Sequence, residues 1–227
     1  GDELLSGRTQ DANMHHLANK LTEIGINLSE ARFIRDDAAV IVSNIVELST
    51  KFDYLFTSGG IGPTHDDITT DCVAKAFGRQ VSVRSDAFNI LKKYYDGKGI
   101  ELNEARLRMA RIPEKADLIE NLISGAPGYI IENVYVMAGV PRIFQSMLQT
   151  VLPNLKKGTP TLSISIKLYK GEGDIALELE QIVKAFSKLT FGSYPFNENG
   201  IHGTNIVIRG KDKKLMIKAE EKVRTIA

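Results

Sequence analysis

The stretch "SGGIGPTHDD" (58–67) gathers three glycines, a proline, a histidine and two adjacent aspartates in ten residues. Gly59, Gly60 and Gly62 free several backbone N–H groups to converge on one anion, the kind of nest that forms at the mouth of a helix. Asp66 and Asp67 would repel a bare phosphate unless a cation stood between. One aspartate suffices to cap a helix. Two side by side, next to His65, read as oxygen ligands for a hard cation such as Mg²⁺ or Mn²⁺. The plainer reading is a tight turn closed by Asp66 or Asp67. No Gly-Lys-Ser/Thr follows, so this is not a Walker A loop.

Three further turns carry similar residues. "GDELLSG" supplies Asp2 and Glu3. "SGAPGY" (124–129) supplies Gly125 and Gly128, and "MAGVPR" (137–142) supplies Gly139 and Pro141. Taken singly, the first is a solvated loop and the last ordinary strand-to-helix punctuation. Asn103, Arg106 and Arg111 in "LNEARLRMARIP" offer polar or cationic support, or simply face solvent. His15, His16 and His202 lack partners at zinc-site spacing. Ser58 and His65 suggest a nucleophile pair, but no Gly-x-Ser-x-Gly elbow is present. Cys72 sits with Val73, Ala76 and Phe77 on a helix face and reads as packing.

The elements that must position these turns alternate between strand and helix, the pattern of a layered α/β domain. "DANMHHLANKLTEIG" and "DDAAVIVSNIVELSTKF" have apolar residues at helical spacing. "INLSEARFI" reads as a strand. "DYLFT" reads as a central strand of a parallel sheet running into the glycines, and "ITTDCVAKAFG" as the helix after them. "SDAFNILKKYYDG" reads as a helix capped by Ser85, and "GYIIENVYVMAG" as a hairpin around Glu132 and Asn133. Pro141 opens a helix at the position where proline is best tolerated. "KKGTP" (156–160) is a linker. Beyond it, "TLSISIKLY", "GDIALELEQIVKAFSKL" with Asp174 as its cap, "TFGSYPF", "TNIVIRG" and "DKKLMIKAEEKVRTIA" give the order β-α-β-β-α. The division expected is a domain over 1–157 and a small α+β domain over 158–227.

The 227 residues are 43% hydrophobic and 25% charged, the balance of an ordinary globular protein. A net charge of +1 gives no basic field for nucleic acid or an anionic membrane. No apolar run approaches a bilayer's thickness. With one cysteine no internal disulfide can form, and a cytoplasmic, reducing location is expected. The chain opens without Met on a polar loop, so a short strand is expected to precede Gly1.

In this order "GDELLSG…DAN", "TSGGIGPTHDD" followed by Thr69, "LNEARLRMARIP", "APG" and "MAGVP" resemble the molybdopterin-binding fold family. The resemblance is strongest to the branch at the N-terminus of competence/damage-inducible protein A. The N-terminal part of eukaryotic FAD synthases is similar too, including a later "GSYP" (192–195). The resemblance implies a three-layer α/β/α domain with a mostly parallel sheet, its pocket walled by these loops. In relatives that bind molybdopterin the motif runs Gly-Gly-x-Gly-x-x-x-Arg-Asp-x-Thr. Asp67 and Thr69 match its aspartate and threonine, but Asp66 stands where the arginine would be. A carboxylate in place of a phosphate-binding cation implies a bound metal. The branch with this doublet is associated with hydrolysis of nucleotide diphosphates such as ADP-ribose, and the FAD synthase relative with FAD cleavage.

The resemblance therefore implies metal-assisted phosphoanhydride hydrolysis, with Asp66, Asp67 and Asp2 as catalytic groups and Asp66, Asp67 and Glu3 on the Mg²⁺ or Mn²⁺. Gly59, Gly60, Gly62, Thr69, Gly128, Gly139 and Pro141 would bind the substrate, a phosphorylated pterin or nucleotide. A homo-oligomer is expected, with a dimer favoured. The rival is a molybdopterin-binding module of molybdenum cofactor assembly without hydrolase activity. A nucleic-acid-binding KH tail is the weakest reading: "GEGD" (171–174) is acidic and precedes a helix, where a KH clamp needs a basic Gly-x-x-Gly loop between helices.

Overall fold

The computed structural model describes residues 1–226 and resolves them into two compact units, Gly1–Lys20 with Leu28–Lys156, and Leu21–Asn27 with Lys157 onward. Through the first unit run α1 (Asp2–Leu5), α2 (Asn13–Glu23, whose last turn belongs to the second unit), α3 (Ala38–Lys51), β1 (Leu55–Ser58), α4 (Thr69–Ala76), β2 (Val81–Val83), α5 (Ser85–Asp96), α6 (Glu104–Leu107), β3 (Arg111–Pro113), β4 (Asp117–Ile119), β5 (Gly128–Ile131), β6 (Val134–Met137) and α7 (Pro141–Val151). The second unit continues with β7 (Leu162–Leu168), α8 (Glu172–Ala185), β8 (Thr190–Glu198), β9 (Ile201–Gly210) and α9 (Lys213–Arg224).

The main sheet has the order β1-β6-β5-β4. β1 runs parallel to β6, with Leu55 beside Val134 and Ser58 beside Met137. β5 and β6 are antiparallel, as are β4 and β5. The fold is α/β, but the sheet is mixed where a mostly parallel one was expected. The cause is local: β5 and β6 are joined across Glu132 and Asn133 alone, a connection only an antiparallel pair can have. Glu132 takes the left-handed φ of 50° that such a turn needs. The Asn133 side chain pins the turn by donating to the carbonyls of Ser49 and Phe52.

Alternation along the strands sends side chains to two faces. Tyr129, Ile131, Val134 and Val136 join Ile41 and Ile45 of α3, Cys72 and Val73 of α4, and Ala87 and Leu91 of α5 in one core cluster. On the opposite face Met147 of α7 approaches Gly128 and accepts from the Ala138 amide at its sulfur. Helices thus cover both faces of the sheet, the three-layer arrangement. Phe144, Met147, Leu148 and Val151 of α7 are all buried, each contributing about 1.5–3 kcal/mol.

Several local expectations change. Residues 26–34 form no strand. Arg32 there ties the segment to α3 through Asn44 and Glu47 and also bonds Glu30, so side chains hold it where a ladder was expected. Ser85 is the first residue of α5 and not its cap, while Asp86 bonds the Ala87 amide. α8 begins two residues before Asp174, whose carboxylate reaches back to the Gly171 amide.

In the second unit β7-β9-β8 is an antiparallel sheet. Ile166, Leu168, Ile206 and Ile208 pack with Ile175 of α8 and Met216, Ala219 and Val223 of α9. The order β-α-β-β-α is the one expected. The same unit holds a close crossing of two glycines. Gly158 donates to the Ile24 carbonyl at 3.0 Å, and a β-carbon on Gly25 would stand 2.5 Å from the Gly158 carbonyl carbon. Among the described residues no helix is long and apolar enough to cross a membrane.

Candidate functional site

Among the described residues β1 and β6 are the one parallel pair, so their carboxyl ends lie side by side and each runs into a glycine turn leading to a helix. In open α/β sheets that is where ligands bind. Gly59 donates to the Met137 carbonyl at 2.9 Å, which binds the first turn to the end of β6. A β-carbon on Gly139 would stand 3.1 Å from the Gly59 α-carbon. Glycine at both positions lets the two turns touch backbone to backbone. Gly59 and Gly60 also adopt φ of 103° and 70°, which side-chain-bearing residues rarely adopt.

Beyond this contact the first turn folds back on itself. Thr69 opens α4 and its amide donates to the Gly60 carbonyl at 3.0 Å. Asp67 Oδ2 accepts from the Thr64 amide at 2.9 Å and the Thr64 hydroxyl at 2.6 Å. A β-carbon on Gly62 would come within 2.6 Å of the same carboxylate oxygen. Asp67 therefore closes the turn over 64–67, and Gly62 makes room for it. Among the described residues, the amides of Gly60, Ile61 and Gly62 donate to no protein acceptor, nor do those of Gly139 and Val140 across from them. Of the three glycines expected to free an amide, Gly60 and Gly62 do so, while the Gly59 amide is taken up by the Met137 carbonyl.

Asp66 is different. Its side chain is 70% exposed, and His65 Nδ1 stands 4.0 Å from its Oδ1. Its carboxyl is held below the ordinary 3.8, first by the Thr64 hydroxyl, whose one hydrogen it must share with Asp67, and then by its own backbone N–H. An exposed, ionised carboxylate thus stands four residues along the same turn from a row of free amides.

The other expected residues are dispersed. Asp2 and Glu3 lie in α1. The Asp2 amide donates to Asp36, and the Glu3 carboxylate folds against Gly1. Among the described residues no group of three or more His, Cys, Asp or Glu could hold a metal, so neither residue completes a three-carboxylate centre with Asp66 and Asp67. Gly128 is buried in β5 between the Val136 carbonyl and the Met147 sulfur, a packing position. Pro141 is the first residue of α7. Asn103 caps α6, Arg106 donates to the Glu101 carbonyl and lies over the Tyr95 ring, and Arg111 forms a two-pronged pair with Asp71. These three have structural partners.

One residue escaped the sequence reading. Asn13, the first residue of α2, is 5% exposed and donates from Nδ2 to Ser58 Oγ at 2.8 Å and to the Gly139 carbonyl at 2.6 Å. It bridges the two turns. The only signal in the sequence is its place in "DAN" between an acidic loop and a helix.

Residues 1–157 match the family described as "Probable molybdopterin binding domain", and residues 160–226 match "FAD synthase, middle domain". A protein of Pyrococcus abyssi is 35% identical over 97% of this chain and 92% of its own length. A CinA-like protein of Citrifermentans bemidjiense is 36% identical over 68% of this chain, which spans 39% of that longer protein. The crystal structure of the protein CinA with unknown function from Thermoplasma acidophilum superimposes with a TM-score of 0.62 at 32% identity, covering 68% of this chain and 93% of that one.

Proposed function

Because the chain belongs to the molybdopterin-binding, CinA-like family, we propose that its paired glycine turns bind a phosphorylated pterin or nucleotide and that it hydrolyses a nucleotide diphosphate such as ADP-ribose or FAD with a divalent cation. The observation that carries this reading is the free amides of Gly60, Ile61 and Gly62 on the same turn as the exposed carboxylate of Asp66. The amides supply fixed donors for phosphoryl oxygens whose charge grows as the anhydride bond breaks. The Gly139 and Val140 amides and the N-terminal end of α7 take the second phosphate.

The carboxylates fit a cation of one kind. Mg²⁺ characteristically binds through one or two carboxylates plus the substrate's phosphates, keeping its other positions for water. Asp66 offers an exposed carboxylate, and among the described residues Asp67 Oδ1 accepts no hydrogen bond while Oδ2 closes the turn. When bound, such an ion would neutralise phosphate charge and lower the pKa of a bound water. Asp66 recruits it with the substrate, Asp67 fixes the turn's shape, and Thr69 holds Gly60 in place. Asp2 and Glu3 have no part in this reading. The match of residues 160–226 to a domain of FAD synthase favours a dinucleotide ligand.

The test is incubation with ADP-ribose and with FAD, with and without Mg²⁺ or Mn²⁺, followed by chromatography for AMP. Cation-dependent AMP release is expected. Its absence under every cation, together with tight binding of molybdopterin, would favour the binding-module reading, which the family description motivates.

A further inference from the structure

We infer that Asn13 is a positioning residue that turns the Ser58 hydroxyl into a hydrogen-bond donor for an anionic oxygen of the ligand. This rests on the reading that the glycine turns hold a phosphorylated molecule, but not on its hydrolysis.

The Gly139 carbonyl can only accept, so the group facing it at 2.6 Å must be the Asn13 nitrogen. That fixes the amide's orientation, and its second N–H goes to Ser58 Oγ at 2.8 Å. Ser58 is thereby an acceptor in this bond. A hydroxyl carries one hydrogen, which cannot point back at an N–H donor. Among the described residues Ser58 Oγ donates to no acceptor. Ser58 is exposed at the end of β1, adjoining Gly59 and close in sequence to the free amides of Gly60, Ile61 and Gly62. Its hydrogen joins that row of donors.

A second observation shows that the amide is held for its neighbours and not for itself. Asn13 Oδ1 is buried and has no hydrogen-bond partner. An amide free to choose would rotate or be replaced by an apolar residue of similar size. Retaining a buried orphan acceptor makes sense if the two donors on the same group have work elsewhere: one sets the spacing of the Gly139 turn, the other orients Ser58. Ser58 as a nucleophile fits less well. His65, its one imagined base, has a side chain 98% exposed and makes no bond to it.

The experiment is calorimetric titration of the whole chain with ADP-ribose and, separately, with inorganic pyrophosphate, using Ser58→Ala, Ser58→Thr, Asn13→Ala and the Asn13→Ala/Ser58→Ala double variant, with melting temperatures to check folding. Ser58→Ala is expected to weaken both probes about tenfold, and Ser58→Thr, which keeps the hydroxyl, to stay within about twofold of the original chain. Asn13→Ala should weaken them comparably, and the double variant should lose little beyond the worse single, since both act through one hydrogen bond. If Asn13→Ala does not fold, the Ser58→Ala and Ser58→Thr pair decides. Unchanged binding in Ser58→Ala, multiplied losses in the double variant, or no saturable binding of either probe by the original chain would overturn the inference. Binding without turnover would overturn only the hydrolase reading.

Discussion

Thr69 and Gly60 are locked to each other: the Thr69 amide donates to the Gly60 carbonyl, and a β-carbon on Gly60 would fall on the Thr69 hydroxyl. The start of α4 and the glycine turn are thus one unit. Gly60→Ala should destabilise the chain by at least about 2 kcal/mol, from left-handed strain plus steric overlap. Gly78→Ala is the control. Gly78 has a φ of 61° with nothing within 4 Å of its β-carbon, so only the strain of about 1–2 kcal/mol applies. Urea unfolding of both variants, with ADP-ribose binding alongside, separates them: only Gly60→Ala should lose the ligand.

Asp66 and Asp67 should part company on substitution. Asp66→Asn removes an exposed charge and leaves every mapped contact of Asp67 intact, so melting should barely move while cation-dependent turnover falls about 10²-fold. Asp67→Ala takes both Thr64 hydrogen bonds away and should cost about 1–2 kcal/mol of stability in addition to activity. Asp66→Arg restores the arginine of the pterin-binding motif. It should reduce cation dependence and hydrolysis together while molybdopterin affinity holds or rises. Melting curves with kcat against Mg²⁺ concentration check all three.

Acid should loosen the Arg32 web. Hydrogen bonds from Lys51 and Arg32 hold the Glu30 carboxyl below 4.5, and one from Arg32 does the same for Glu47. Folded carboxyls with lowered pKa add stability above their unfolded values and lose it as pH falls through the folded ones. Arg32→Gln should therefore melt below the original chain at pH 7, with the gap closing progressively as pH drops below 4.5. Thermal melts in steps from pH 7 to pH 3 would show it. A gap that stayed constant would mean Arg32 acts only through packing.

Gly203 in β9 should tolerate no side chain. A β-carbon there would overlap the Leu168 carbonyl and the Phe196 ring. Gly203→Ala is expected to cost about 1–3 kcal/mol, whereas Gly173→Ala in α8, with nothing within 4 Å, should gain up to about 1 kcal/mol from helix propensity.

What the sequence made legible was local. Glycines and aspartates announced the 58–67 turn because only glycine tolerates its dihedrals and close approaches, and two apolar arms announced the β5-β6 hairpin. What it hid was relational. "INLSEARFI" has the composition of a strand, but a strand also needs a neighbour, and this segment is instead held by Arg32. Asn13 drew no reading of its own inside "DANMHHLANKLTEIG" because its partners stand 45 and 126 residues away. Asp67 matched a motif aspartate, yet whether a carboxylate waits for a cation or closes its own turn depends on where Thr64 points.

The crossing of Gly25 with Gly158 makes the second unit discontinuous along the chain, and translation runs in one direction. The ribosome finishes Leu21–Asn27 more than a hundred residues before it reaches Gly158. At about 5–20 residues per second, the end of α2 waits about 7–26 seconds for the residues it joins. During that interval the first unit can assemble its sheet, but the Ile24 carbonyl does not yet have the Gly158 amide it accepts from in the finished fold.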